Sequence, residues 1–237
     1  NGCTTTDSGN LSQPSALSSS ASGNDASCNA SCDGDATVTG SGGTSPYTYL
    51  WSDGQSSTTA NGLCAGNYSA TVTDFNGCTS VSSVTISEPS LLIVFTTGND
   101  VSCNGDSTGS ATISVSGGTS PYSYLWSDGF VSSANDSLMA GTYSVIVTDA
   151  NGCTKADTIV ISEPSPLVSV SFPADASCNG GNDGSASVNV SGGTSPYNYL
   201  WSDGQTNATA IGLAAGSYSV TATDANGCTV NSNATVN

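Results

Sequence analysis

A repeat of fixed length constrains this chain more than any other feature. The string GGTSPYTYLWSDG at Gly42–Gly54 returns as GGTSPYSYLWSDG at Gly117–Gly129 and as GGTSPYNYLWSDG at Gly192–Gly204, a strict 75-residue period. Cys28, Cys103 and Cys178 keep that register, and so do Cys78, Cys153 and Cys228. The segments Ala65–Ser69, Ala140–Ser144 and Ala215–Ser219 follow the same spacing. Copies free of insertions indicate that the length itself is constrained, as it is where neighbours stack along an axis. The expected domains are residues 15–89, 90–164 and 165–237. Residues 1–14 lie ahead of them: Asn1-Gly2-Cys3 stands one full period before Asn76-Gly77-Cys78, and Gln13-Pro14 one period before Glu88-Pro89. Residues 3–12 are therefore expected to be the final strand of a preceding repeat, with the partner of Cys3 outside the sequence.

The middle copy shows its strands most clearly. Leu91–Thr96 is an apolar run, and Ala111, Ile113 and Val115 alternate before Gly117-Gly118. Tyr122–Trp126 ends at Asp128-Gly129, a tight-turn pair. A weaker strand covers Val131–Leu138. Tyr143–Thr148 and Cys153–Ser162 flank the hairpin Asp149-Ala150-Asn151-Gly152, and Glu163-Pro164 stops the last strand because proline cannot continue a ladder. About seven short strands in each copy, with no helical period, predict an antiparallel β-sandwich. The fold class is thus all-β, with tandem sandwiches of Ig or PKD type arranged end to end at roughly 35–40 Å per repeat, from strands of about eight residues and a short linker. Trp51, Trp126 and Trp201 are the expected core centres. Leu63/Tyr68, Leu138/Tyr143 and Leu213/Tyr218 are arranged like a tyrosine corner.

Charge narrows the functions open to such an array. The chain has 18 acidic residues, one lysine and no arginine or histidine, for a net charge of −17. Nucleic acid is excluded as a partner, since phosphate binding needs cations. Docking to anionic lipid is disfavoured for the same reason. No apolar run approaches the length of a membrane span, roughly 18 residues or more. Catalysis lacks a base near neutral pH, so the many serines have nothing to activate them. The chain is not expected to be an enzyme or to require a cofactor.

Nine cysteines without histidine or CxxC pairs point to disulfides and an extracellular location. Their register suggests one bridge per copy: Cys28–Cys78, Cys103–Cys153 and Cys178–Cys228. Each would close a loop of about 50 residues, worth roughly 4 kcal/mol in the chain-entropy model. Cys32 and Cys64 form an additional expected pair, because the other copies replace both together, by Ser107/Met139 and Asn182/Ala214.

The pattern SGGTSPYxYLWSDG followed by LxAGxYSVxxTDANGCT resembles the SprB-type repeat of large surface adhesins of gliding and related Bacteroidota. It is more loosely similar to PKD and Ig-like surface modules. The resemblance covers about two thirds of each period. It implies an exported cell-surface protein, delivered by type IX secretion, whose repeats build stalks or filaments for adhesion and motility. Its partners would be further copies of the repeat, with extracellular surfaces or glycans as targets.

Two kinds of site remain open. Asp25, Asp100 and Asp175 precede a cysteine by three residues, Asp74, Asp149 and Asp224 recur in the hairpins, and Glu88 and Glu163 begin the linkers. Such oxygen ligands gathered at a junction would suit Ca²⁺. The alternative is that they serve turn geometry. Asp-Ser/Thr triplets of the form Bacteroidota O-glycosylate occur at Ser107, Ser137 and Thr158. A binding role for the repeated WSDG loop, toward glycan or ion, is the competing function.

Overall fold

The fold is that of a computed structural model, which describes residues 2, 4, 7, 9 and 12–237. Cys3 and most of the strand expected over 3–12 lie outside the described residues. Among the described residues all regular elements are strands. The first copy holds β1 (Ser18–Asn24), β2 (Gly34–Ser41), β3 (Thr48–Trp51), β4 (Thr59–Leu63), β5 (Gly66–Thr73) and β6 (Thr79–Ile86). The second holds β7 (Ile93–Asn99), β8 (Gly109–Ser116), β9 (Ser123–Trp126), β10 (Ala134–Leu138), β11 (Gly141–Thr148) and β12 (Thr154–Ile161). The third holds β13 (Val168–Ala174), β14 (Gly184–Ser191), β15 (Asn198–Trp201), β16 (Thr209–Leu213), β17 (Gly216–Thr223) and β18 (Thr229–Val236).

The chain divides into two compact units. One comprises Asn1–Ile93 with the loops Ser116–Tyr122 and Thr148–Lys155, and the other comprises Val94–Val115, Ser123–Val147 and Ala156–Asn237. In the first unit, the sheets are ordered β1-β2-β4 and β3-β5-β6. In the second unit, the third copy has the orders β13-β14-β16 and β15-β17-β18. The strands of the middle copy pair as β7-β8-β10 and β9-β11-β12.

Each copy has six strands where about seven were expected. The set matches a constant-type Ig sandwich without its fourth strand. The physical reason lies in the WSDG turn. Trp51 N donates to Gln55 O at 2.8 Å and Gly54 N to Trp51 O at 3.0 Å, so the chain turns within a few residues and starts β4 in the other sheet at once. Gly54 has φ +92°, a conformation that favours glycine.

The register fixes which end each loop occupies. Asn24 pairs with Asp35, and Gly34 with Leu63, so the β1–β2 loop and the β4–β5 link share one end. Thr48 pairs with Thr73, and Thr73 with Thr79, so the β2–β3 loop and the β5–β6 hairpin share the other. Strands β3 and β4 are two halves of a single traverse, because Trp51 lies opposite Ala70, midway along β5, and Thr59 opposite Thr37, midway along β2.

Inward positions alternate as the period-2 pattern requires. In the first copy Ala36, Val38, Trp51, Ala60, Leu63, Ala70, Val72 and Ile86 form the buried core. Ala186, Val188, Trp201, Ala210, Leu213, Val220, Ala234 and Val236 do so in the third. Full burial of each Leu, Ile or Val contributes about 1.5–3 kcal/mol. Each indole donates Nε1–H to a carbonyl six residues on: Ser57, Ser132 and Asn207, at 2.9–3.0 Å. The tyrosine corners are present, with Tyr68, Tyr143 and Tyr218 donating to the carbonyls of Cys64, Met139 and Ala214 at 3.0–3.1 Å. A second tyrosine in each copy, not singled out by the sequence pattern, donates to the first glycine of GGTSP: Tyr47 to Gly42, Tyr122 to Gly117 and Tyr197 to Gly192.

Where β1 runs beside β6, polar side chains close the seam. Thr96 Oγ1 donates to Asp157 at 2.9 Å, and Ser171 and Ser232 hydroxyls meet at 2.5 Å. The corresponding pair in the first copy is Ala21 and Ser82, and the Ser82 hydroxyl is buried there without a hydrogen-bond partner.

Candidate functional site

The expected pairs Cys28–Cys78, Cys103–Cys153 and Cys178–Cys228 do not form. Cys28 is bonded to Cys153 and Cys103 to Cys228, each across 125 residues, with Cα atoms 5.8 and 5.7 Å apart. Cys32 is bonded to Cys64. Cys78 and Cys178 are exposed free thiols. The reason is the parity of traverses. From Cys28 the chain crosses the sandwich by β2, returns by β3 and β4 together, and crosses again by β5. That odd number leaves Cys78 at the far end, roughly 27 Å away for eight-residue strands, whereas bridged Cα atoms must lie within about 7 Å. The β1–β2 loop of one copy meets the β5–β6 type hairpin of the next instead.

Hydrogen bonds surround each bridge in the same way. In the first unit Asn151 Nδ2 donates to Ser27 O at 2.8 Å. In the second, Asn226 Nδ2 donates to Ser102 O at 2.9 Å. The linkers are held at both ends. Ala30 N donates to Glu88 at 2.7 Å and Gly105 N to Glu163 at 2.7 Å, while Asn29 and Asn104 donate to the carbonyls of Pro89 and Pro164 at 3.2 and 3.1 Å. Further along, Gly118 N donates to Ser90 O and Gly193 N to Ser165 O, at 2.8 and 2.9 Å. The preceding glycines press on the linker. A Cβ at Gly117 would lie 1.9 Å from Leu91 O, and one at Gly192 would lie 1.9 Å from Pro166 O. GGTSP thus owes its glycines to the linker it grips.

The carboxylates considered for calcium accept hydrogen bonds from this backbone. Asp74 accepts from the amides of Thr44, Asn76 and Cys78 at 2.8–3.0 Å. Asp149 accepts from Thr119, Asn151 and Cys153, and Asp224 from Thr194, Asn226 and Cys228, all at 2.8–2.9 Å. These amides hold the carboxyls below the usual range. The Thr44 amide leads at Asp74 and the Thr194 amide at Asp224, while at Asp149 burial is the largest single influence and opposes the fall. Asp25, Asp100 and Asp175 each accept one backbone amide, from Ser87, Ser162 and Asn237, at 2.7–2.8 Å. Glu88 and Glu163 cap the loops already described. Among the described residues, no three Asp, Glu, Cys or His gather as a metal would require. Their hydrogen bonds recur with the turns and linkers of each copy.

The WSDG carboxylates are also internally engaged. Gln55 Nε2 bridges Asp53 at 2.7 Å and Asn61 O at 3.0 Å, and Gln205 does the same for Asp203 and Ile211. In the middle copy, where Phe130 replaces the glutamine, buried Asn135 reaches Asp128 at 2.8 Å. Ser107, Ser137 and Thr158 are exposed.

Fold and joint together define a tandem array of β-sandwiches in which disulfides run from copy to copy. The family model for the SprB repeat matches three times, at residues 20–56, 96–130 and 170–206. The chain carries three SprB repeats, one in the first part of each copy. No curated protein matches the chain in sequence. Solved structures with a related fold include the N-terminal eight Ig domains of Down Syndrome Cell Adhesion Molecule, at 10% identity over 94% of this chain, with a TM-score of 0.35. This chain spans 48% of that one. Domains 3–5 of Drosophila OTK align at 12% identity over 85% of this chain and 90% of theirs, with a TM-score of 0.31. A tetra-tandem repeat from the extending region of a large adhesion protein aligns at 15% identity over 94% of this chain and 74% of its own, with a TM-score of 0.27.

Proposed function

We propose that the chain is a load-bearing spacer segment of a repetitive extracellular adhesin, structural rather than enzymatic. One observation carries this reading: the bridges overlap. Cys28–Cys153 and Cys103–Cys228 together span every peptide bond from Cys28 to Cys228. A tension applied along the chain therefore bypasses most of the backbone through sulfur. The SprB repeats support a place at the cell surface, and export through type IX secretion and service in gliding follow from the same resemblance. Disulfides fit an oxidising exterior.

Pulling the chain by its ends in a force spectrometer tests the reading. With both bridges closed, only the stretch between Cys103 and Cys153 stays under load from Cys28 to Cys228, which hides about 150 residues, roughly 510 Å of contour at about 3.4 Å per residue. The oxidised chain should extend by that much less than the reduced one. Equal contour lengths in both states would remove the mechanical role. Specific binding of the oxidised chain on a glycan array would instead favour a ligand-binding module.

A further inference from the structure

One sheet edge is closed in two copies and open in the third. Strands β4, β10 and β16 are outermost in their sheets, at the edge where a constant-type sandwich carries its fourth strand. An outermost strand turns alternate amides and carbonyls away from its neighbour. In the first copy a single side chain takes those groups. Asn61 N donates to Gln55 Oε1 at 3.0 Å, and Gln55 Nε2 donates to Asn61 O at 3.0 Å. Gln205 does the same in the third copy, where Ile211 N donates at 3.0 Å and Ile211 O accepts at 2.9 Å. A side-chain amide carries the donor and acceptor of a peptide group, so the glutamine stands in for an absent strand.

The middle copy keeps the turn and gives up this cap. Phe130 stands in place of the glutamine, and Asn135 stands where the flanking copies have Ala60 and Ala210. The Asn135 amide reaches Asp128 at 2.8 Å, replacing the 2.7 Å bonds from glutamine to Asp53 and Asp203. The two changes together leave the aspartate satisfied and the strand edge open. Asp136 pairs with Ser110 as Asn61 pairs with Asp35 and Ile211 with Ser185. Its N–H and C=O therefore face outward, and among the described residues no side chain meets them. Ala134, two residues earlier, faces the same edge. The surface beside it is apolar: Phe130 is 47% exposed and Val131 70%, where the other copies have Gln55-Ser56 and Gln205-Thr206. The one charge on β10 is Asp136.

We infer that the open edge of β10 receives an extended, cationic peptide segment of another protein, which adds as a strand beside Ala134–Asp136. Main-chain groups of the guest supply the donor and acceptor that glutamine supplies in the flanking copies, as in other strand additions. Its residues alternate in direction. One set packs on Phe130 and Val131, and a Lys or Arg of the other set faces Asp136, a favourable cross-strand pair. The host decides the sign of the guest's charge. A second copy of this chain would bring another net charge of −17, and symmetric pairing centred on Asp136 would set two carboxylates face to face. A cationic segment is drawn in by the same field. The inference rests on the edge alone and stands apart from the spacer reading.

The test titrates the oxidised 237-residue chain with a short, end-blocked peptide of alternating lysine and valine, followed by calorimetry at about 0.15 M salt. One site should be found, and the Asp136 amide should exchange more slowly once it is filled. Phe130→Gln with Asn135→Ala gives the middle copy the residues of its neighbours. Affinity should then fall about tenfold, for two lost hydrogen bonds. The converse pair, Gln55→Phe with Ala60→Asn, should open the first copy and raise the stoichiometry from one to two. A peptide methylated on the backbone nitrogens of its lysines keeps its charge and should bind about tenfold more weakly. The inference is overturned if the F130Q/N135A chain or the methylated peptide binds as tightly as its parent, because attraction to the acidic surface then explains the binding. Absence of binding overturns it too. So does self-association of the chain that F130Q/N135A abolishes, which would give the edge to a second copy.

Discussion

Lys155 is the only basic residue in the chain, so trypsin has one site, between Lys155 and Ala156. The site falls inside the loop closed by Cys103–Cys228 and outside the one closed by Cys28–Cys153. If bridges run from copy to copy, the cut leaves residues 1–155 and 156–237 joined through Cys103–Cys228. If they ran within copies, nothing would hold the two pieces together. The assay blocks free thiols, unfolds the chain in urea without reductant, digests with trypsin and compares gels run with and without reductant. The nicked protein should migrate near the intact 23.3 kDa until reductant separates it. Nicking also has an energetic cost. A closed loop of 125 residues restricts the unfolded chain by about 5 kcal/mol in the loop-entropy model. Opening it should bring stability down toward that of the reduced form. Two separate fragments without reductant would refute both the pairing and the parity argument behind it.

Two further outcomes are expected. Ala30 (φ 59°) and Ser137 (φ 62°) stand where the other copies place Gly105 and Gly180, or Gly62 and Gly212, at φ 69–81°. Relief of the left-handed strain, about 1–2 kcal/mol, outweighs glycine's extra unfolded entropy of roughly 0.5–1 kcal/mol, so Ala30→Gly and Ser137→Gly should each raise stability in urea titrations. Asp74, Asp149 and Asp224 have folded pKa values below the ordinary one, so they stabilise above the unfolded value of about 3.9 and lose that contribution as pH falls beneath it. Melting followed at about 0.5 M salt, which screens the acidic surface, should hold from pH 8 to 5 and decline below about 4. The Asp→Asn variants should show a shallower decline.

Much of the fold was legible in the residues. The strict period gave the number of copies, alternation gave the strands and their inward faces, and Leu63/Tyr68 and its counterparts gave the tyrosine corners. These are local signals, written within a few residues of the structure they produce. The amide-capping role of Asp74 was legible only as one alternative, since an aspartate in a turn has the same sequence context as a calcium ligand. The capping shows only in the fold, where Asp74 meets the Thr44 amide 30 residues away.

The cysteine pairing was decided by tertiary structure alone. Register shows which cysteines are equivalent, and it is unchanged whether Cys28 meets Cys78 or Cys153. The choice depends on which end of the sandwich each occupies, and so on whether an odd or even number of traverses separates them. That count turns on β3 and β4 making one traverse between them, across a turn at Trp51–Gln55 that reads in sequence like any hairpin. A periodic sequence repeats its residues identically, but only the folded chain distinguishes a contact within a copy from the same contact one copy further on.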